Sequence, residues 1–132
     1  MYGGLSSSKQ ILGKPPINAP FSPGVLVGET LYLSGQIGLE PNSRQLVSGG
    51  VAAETKQILE NFGSLLRQAE MNYDEVVSAT VYLKDLKDYD TMNQVYAEYF
   101  SKEPPARATV QVANLVLNAN VEISMIAVRG AH

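Results

Sequence analysis

The stretch Val76-Val77-Ser78-Ala79-Thr80-Val81-Tyr82-Leu83-Lys84 decides the fold. It alternates apolar with polar residues and is rich in β-branched side chains, so it reads as a half-buried strand. Asp85 to Asp88 then offer N-cap candidates for a helix over about Tyr89 to Phe100. The apolar stripe of that helix is Met92, Val95, Tyr96, Tyr99 and Phe100. Pro104-Pro105 stops it, and alternation resumes as a strand over Ala108 to Ala113. Upstream, the period is helical from Val51 to about Met71, with Val51, Ile58, Phe62, Leu65, Leu66 and Ala69 on one face. Gly63 inside this helix costs about 1 kcal/mol relative to alanine, which predicts a close backbone contact with the sheet there. Earlier still, Val25 to Gln36 forms two strand segments around the turn Gly28-Glu29, and Gly38 to Gly50 is a polar loop. A loop around Asn118 leads into the last strand, Val121 to Val128. The order β-β-α-β-α-β-β predicts an α+β fold, a single mixed sheet with two helices on one face.

The chain's 132 residues suit one domain, with Met1 to Lys9 expected as a flexible tail. The N-terminus lacks the apolar core of a secretory signal, and no run approaches the ~18 apolar residues of a membrane helix. A cytoplasmic location is expected, a mitochondrial one being compatible too. Ten basic against thirteen acidic residues give a net charge of -3, which argues against a general electrostatic grip on nucleic acid or an anionic membrane. With no cysteine, the chain has no disulfide, thiolate metal site or cysteine nucleophile. Its one histidine, His132, is the last residue. A histidine-ligated metal or a Ser-His-Asp triad needs a better-held imidazole than a fraying terminus offers.

Charged residues make up only 17%, against a usual share near 25%. Strand parity gives that shortfall a place. Leu31, Leu33, Val77, Ala79, Val81, Leu83, Val110, Val112, Ile123, Met125 and Ala127 form an apolar set that meets the helices. The opposite set is Thr30, Tyr32, Ser34, Gln36, Ser78, Thr80, Tyr82, Thr109, Gln111, Glu122, Ser124, Ile126 and Val128, polar but almost uncharged. A solvated sheet face normally carries lysine and glutamate, so this one is expected to be buried against other subunits. The plainer alternative is a Thr/Ser-rich solvent face chosen for β-propensity. Parity puts Arg107 and Glu122 on this second face. Two readings stand at this point: an interfacial ion pair, or Arg107 holding a substrate carboxylate by a bidentate fork while Glu122 handles a proton or a water.

The run Pro105-Ala106-Arg107-Ala108-Thr109-Val110-Gln111-Val112-Ala113-Asn114-Leu115, followed by Val121-Glu122-Ile123 and Ile126-Ala127-Val128, resembles the C-terminal signature of the RidA (YjgF-type) family. Upstream, Tyr32-Leu33-Ser34-Gly35-Gln36-Ile37-Gly38, Gly49-Gly50-Val51, Asn61, Thr80-Val81-Tyr82-Leu83, Asn93-Gln94-Val95-Tyr96 and Tyr99-Phe100 match it in order and spacing. The resemblance spans about residues 15–130. It implies a chorismate-mutase-like α+β fold and a homotrimer with a cleft at each subunit interface. The activity it implies is hydrolysis of 2-aminoacrylate/2-iminopropanoate and 2-iminobutanoate to 2-keto acids and ammonia, with no cofactor and no metal.

Carried over by position, the resemblance has Arg107 bind the substrate carboxylate, assisted by the backbone N–H of Gly35. Glu122 orients or activates the attacking water, and the carbonyl of Thr109 helps hold that water or the imine nitrogen. Ser34 and Asn93 line or brace the cleft, Asn93 having helix-edge packing as its alternative role. A substrate carboxylate beside Glu122 is expected to raise its pKa, partly offset by Arg107. Phe21 stands where the family commonly has tyrosine, so the ring remains and a phenolic hydroxyl is lost. Val116 and Ser124 also depart from the usual pattern, away from the chemistry. Two other functions fit the chain less well: a ribonuclease or translation inhibitor, disfavoured by the net charge, and a non-catalytic module for small carboxylates or partner proteins.

Overall fold

In the computed structural model, which describes residues 8–15 and 18–132, six strands form one sheet in the order β1-β2-β3-β6-β4-β5. They are β1 (Lys9–Leu12), β2 (Gly24–Val27), β3 (Thr30–Gln36), β4 (Val76–Leu83), β5 (Ala106–Gln111) and β6 (Val121–Val128). Helix α1 (Gly50–Gln68) and helix α2 (Tyr89–Ala97) pack on the sheet and on each other. All neighbouring strands are antiparallel except β4 and β5, which run parallel because α2 crosses between them. The mixed sheet with two helices on one face is the predicted architecture. Residues 1–7 of the expected tail lie outside the described residues, whereas Lys9 opens a strand that the periodicity did not reveal.

The core lies between sheet and helices. Ile58, Leu59, Phe62 and Leu66 of α1 and Met92 of α2 meet Leu31, Val81, Leu83, Ile123 and Ala127 of the sheet, all fully buried. Burial of each such side chain contributes about 1.5–3 kcal/mol, which is why the α1 stripe sets the helix's orientation. Gly63 is explained differently from the expectation. A Cβ there would run into the ring of Tyr73, whose hydroxyl donates to the Leu59 carbonyl at 2.6 Å, so the close approach is to Tyr73 and not to the sheet.

The strand parities need three corrections. First, β4 carries a bulge between Val76 and Ser78 opposite β6, so Val76 takes the core position and Val77 is turned to solvent. Second, β3 carries a bulge between Leu33 and Gln36, which pairs Gln36 with the buried Ile123 and puts it on the helix side. Third, β5 is in the opposite phase. Its parallel register places Arg107 beside Ala79, Thr109 beside Val81 and Gln111 beside Leu83, on the helix side, while Val110 sits beside Tyr82 and is 43% exposed. The reason lies in the edge position of β5. Over it lie Tyr89 and Tyr96 of α2, whose rings accept a cation, and the Leu86 N–H, which donates to the Gln111 side chain, so the apolar-inward rule fails there.

The face away from the helices is covered by no element of the described chain. One row across it runs Ile11, Val25, Tyr32, Ile126 and Ser78 in mutual register. Tyr32 is 50% exposed and Ile11 is exposed beside it. Thr30, Thr80, Tyr82 and Ser124 surround that row, and Glu122 is the acid among the β6 residues on this face.

Candidate active site

Glu122 stands on the open face, in register with Tyr82 of β4. On its other side the β3 bulge leaves Ser34 and Gly35 without cross-strand partners, and Gly35 is exposed. Glycine leaves room for the carboxylate there: a Cβ at position 35 would lie 3.1 Å from the Glu122 carboxyl carbon and collide with Oε2. Burial between the two strands pushes the Glu122 carboxyl above its ordinary range. The direction matches the expectation, but desolvation supplies it without any substrate. Ser34 braces this corner. Its hydroxyl donates to the Ser22 carbonyl at 2.6 Å and its N–H donates to the Pro23 carbonyl at 2.9 Å. Those bonds hold the segment that presents Phe21, 45% exposed, beside the bulge.

Arg107 belongs to a second cluster on the helix side. Its guanidinium carbon lies 4.7 Å from the ring centre of Tyr96 and 5.7 Å from that of Tyr89. Two aromatic faces attract the cation and fix its plane, and among the described residues no carboxylate pairs with it. The N–H edge of the guanidinium therefore remains available for an anion. Tyr89, Asn93 and Tyr96 follow one another at i, i+4 and i+7 and share a stripe of α2, which brings half-buried Asn93 into the same cluster. A shallow groove beside it is lined by Leu86, Lys87, Tyr89, Asp90 and Thr109. Desolvation raises the Tyr96 pKa and the nearby Arg107 charge opposes the rise.

The structure thus sorts the sequence-predicted residues into two groups. Phe21, Ser34, Gly35 and Glu122 form one; Arg107, Thr109 and Asn93 form the other. They lie on opposite sides of the sheet with β4 between their strands, and the ion-pair reading fails within one chain. Two strand spacings and three residues of offset put the Arg107 and Glu122 Cα atoms about 14 Å apart. Sequence reasoning missed the aromatic wall under Arg107, because Tyr96 reads as core and Tyr89 as the first residue of the helix. The i, i+4, i+7 spacing of Tyr89, Asn93 and Tyr96 was the available signal.

A mixed sheet bearing two helices, with a bulge-held glutamate and a tyrosine-stacked arginine, defines a class of small α+β proteins. Within that class the chain belongs to the endoribonuclease L-PSP (RidA/YjgF) family, whose model matches residues 13–129. A human protein named 2-iminobutanoate/2-iminopropanoate deaminase is 47% identical over 116 residues, 88% of this chain and 85% of its own length. The crystal structure of RidA from an Antarctic Psychrobacter matches with a TM-score of 0.84 and 35% identity, covering 90% of this chain and 98% of its own. That of E. coli TdcF with bound serine matches at 0.83 and 31% identity, covering 92% and 99%.

Proposed function

We propose that this protein is a 2-iminobutanoate/2-iminopropanoate deaminase, acting on small 2-imino acids at a site shared between two copies of the chain. The sharing rests on one observation: its two half-sites occupy opposite faces of one sheet, too far apart for a substrate of a few heavy atoms. The Ile11–Val25–Tyr32–Ile126 row, with Ile11 and Tyr32 exposed and the other two half-buried, is the kind of apolar patch that marks a subunit contact. A rotation that closes after three copies brings the Glu122 face of each onto the Arg107 edge of the next. The homotrimer has three equivalent clefts and works in the cytoplasm.

In each cleft Arg107 of one subunit grips the substrate carboxylate through its free N–H edge. Glu122 of the next subunit takes a proton from water as the oxygen attacks the C=N carbon. The iminium is already electrophilic, so positioning and a base suffice and no covalent enzyme intermediate is needed. Glu122 then returns the proton to nitrogen; as the C–N bond of the carbinolamine breaks it takes the hydroxyl proton, the C=O bond forms, and that proton passes to the departing ammonia. Iminium and water give 2-keto acid and ammonium, with atoms and charge balanced. A base whose carboxyl is raised by burial binds the proton more readily and still releases it within the cycle. The Gly35 N–H and the Thr109 carbonyl contribute the remaining backbone contacts, and Asn93 braces the arginine's helix. The net charge of -3 disfavours a ribonuclease.

The test is complementation. Wild-type protein added to a threonine dehydratase reaction lowers the imine trapped by semicarbazide, and Arg107→Ala and Glu122→Gln each lose that effect. When the two variants are unfolded, mixed in equal amounts and refolded together, about a quarter of the clefts receive both intact side chains. Activity near that fraction supports the shared site. No recovery on mixing refutes it, and no wild-type effect on the trapped imine refutes the deaminase.

A further inference from the structure

Glu54 takes no part in either half-site, yet its carboxylate is 2% exposed and held wholly by neutral groups. The backbone N–H of Asn120 donates to Oε1 at 2.8 Å, and the Asn120 side-chain amide donates to Oε2 at 2.6 Å. Asn120 lies two residues before Glu122, and its own carbonyl accepts from the N–H of Lys84 at 3.0 Å. Glu54 therefore holds the beginning of the strand that carries Glu122. The same residue also meets the strand that carries Gly35. Gly38, three residues beyond Gly35, packs directly on its backbone, since a Cβ at 38 would lie 2.8 Å from both the Cα and the carbonyl oxygen of Glu54. Two turns along α1, Asn61 donates to the Leu39 carbonyl at 3.0 Å and accepts from Gln57 at 2.9 Å. A polar stripe of α1 thus clasps both chain segments that converge on the Glu122 carboxylate.

Burying a carboxylate without a cation is costly, and an apolar side chain at position 54 would fill a core position more cheaply. The geometry points to a reason for keeping it. We propose that Glu54 is a positioning residue, which fixes the Gly35 segment against the Glu122 strand and so sets the Glu122 carboxylate toward the attacking water. This rests on the acid–base role of Glu122 given above. Arg107 lies on the other face and on another strand, so the clasp acts on proton handling far more than on the arginine's grip on the carboxylate.

Two variants test it. Asn120→Ala removes one of the two bonds and keeps the backbone N–H; Glu54→Ala removes both. The expected result for either is a tenfold fall in kcat with KM changed less than twofold. Glu54→Gln restores kcat to within threefold of wild type, because a turned Asn120 amide can pair with the glutamine. A carbon-detected NMR titration of Glu122 supplies a readout independent of turnover. Around that carboxylate, β3 presents Gly35 and β4 presents Tyr82 as the titratable neighbour in register. Loosening the clasp admits water and moves the Glu122 titration down toward the ordinary carboxylate range. If Glu54→Ala does not fold, Asn120→Ala decides. Unchanged kcat in a folded variant overturns the proposal, as does a fall in kcat matched by a rise in KM with no rescue by Glu54→Gln. If wild type fails to hydrolyse the imine, the deaminase reading falls, and the titration alone decides for or against the clasp.

Discussion

Gly35→Ala is the smallest change that reaches the Glu122 carboxylate. An added methyl would sit 3.1 Å from its Cδ and 3.4 Å from its Cγ, with Oε2 closer still. Ordinary carbon contacts need about 3.5–4.0 Å, so the carboxylate retreats by roughly 1 Å, and a misplacement of that size costs about 100-fold in rate. Gly35 is not among the glycines at positive φ, so its backbone accepts alanine. The substitution also narrows the unfolded ensemble, worth about 0.4–1 kcal/mol in favour of folding. The expected variant is therefore folded, as stable as wild type or slightly more so, and about 100-fold slower, with KM within threefold because Arg107 is untouched. Imine trapping at several substrate concentrations measures kcat and KM, and a thermal melt followed by circular dichroism measures stability. In a Glu122→Ala background the same change should cost nothing further, because the group it displaces is gone. A kcat within threefold of wild type would refute the reasoning, since the methyl cannot be placed without moving the carboxylate.

Arg107→Ala removes two charge-assisted hydrogen bonds, each worth about 1.5–3 kcal/mol, and should lower kcat/KM by roughly 10²–10⁴. Arg107→Lys keeps the charge but loses the fork, and steady-state kinetics should place it between wild type and alanine; a lysine variant equal to wild type would exclude bidentate binding. Glu122→Gln should raise Tm at neutral pH and leave it unchanged in acid. Burial raises the folded-state pKa of Glu122, so its contribution to stability is fully present below the unfolded pKa and is lost as pH rises through the folded one. Melts across that range check the sign, and a variant less stable than wild type at neutral pH would contradict it. Tyr96→Phe removes a buried hydroxyl that makes no well-aligned hydrogen bond among the described residues, although the Arg107 guanidinium lies close to it, and keeps the ring under Arg107. It should gain about 1 kcal/mol, roughly 4 °C in Tm, at unchanged KM; a lower Tm would mean that the hydroxyl is bonded after all.

The sequence discloses the helices and central strands because burial there is one-sided. The α1 stripe from Val51 to Leu66 and the alternation of β6 each meet a single layer, so periodicity maps directly onto faces. It misleads where that condition lapses. β5 is an edge strand under a short helix, and its valine at position 110 points outward while an arginine points in. The two bulges, at Val77 and at Ser34-Gly35, each shift phase by one residue, and no local residue pattern announces them. Arg107 and Glu122 were identifiable as the charged residues in otherwise neutral strands. Their placement on one face was an error of phase. The wall of Tyr89 and Tyr96 and the clasp of Glu54 on Asn120 depend on contacts between distant segments, which alternation does not encode.

That error of phase changes what the low charge of 17% means. Had Arg107 and Glu122 shared a face, they could have neutralised one another in a buried interface, and the neutral polar surface would have been only a docking surface. On opposite faces, neither finds an ion-pair partner among the described residues. Arg107 is instead held by aromatic rings, which attract the cation without neutralising it. Glu122 is held by backbone shape, with burial raising its pKa. Each is poised for a ligand and neither is spent on a partner. The proposed mechanism calls for a neutral sheet face, because any lysine or glutamate added beside Glu122 would compete for the proton or the water assigned to it there. On the mechanism proposed above, the scarcity of charge on that face serves the Glu122 half-site as much as the proposed subunit contact.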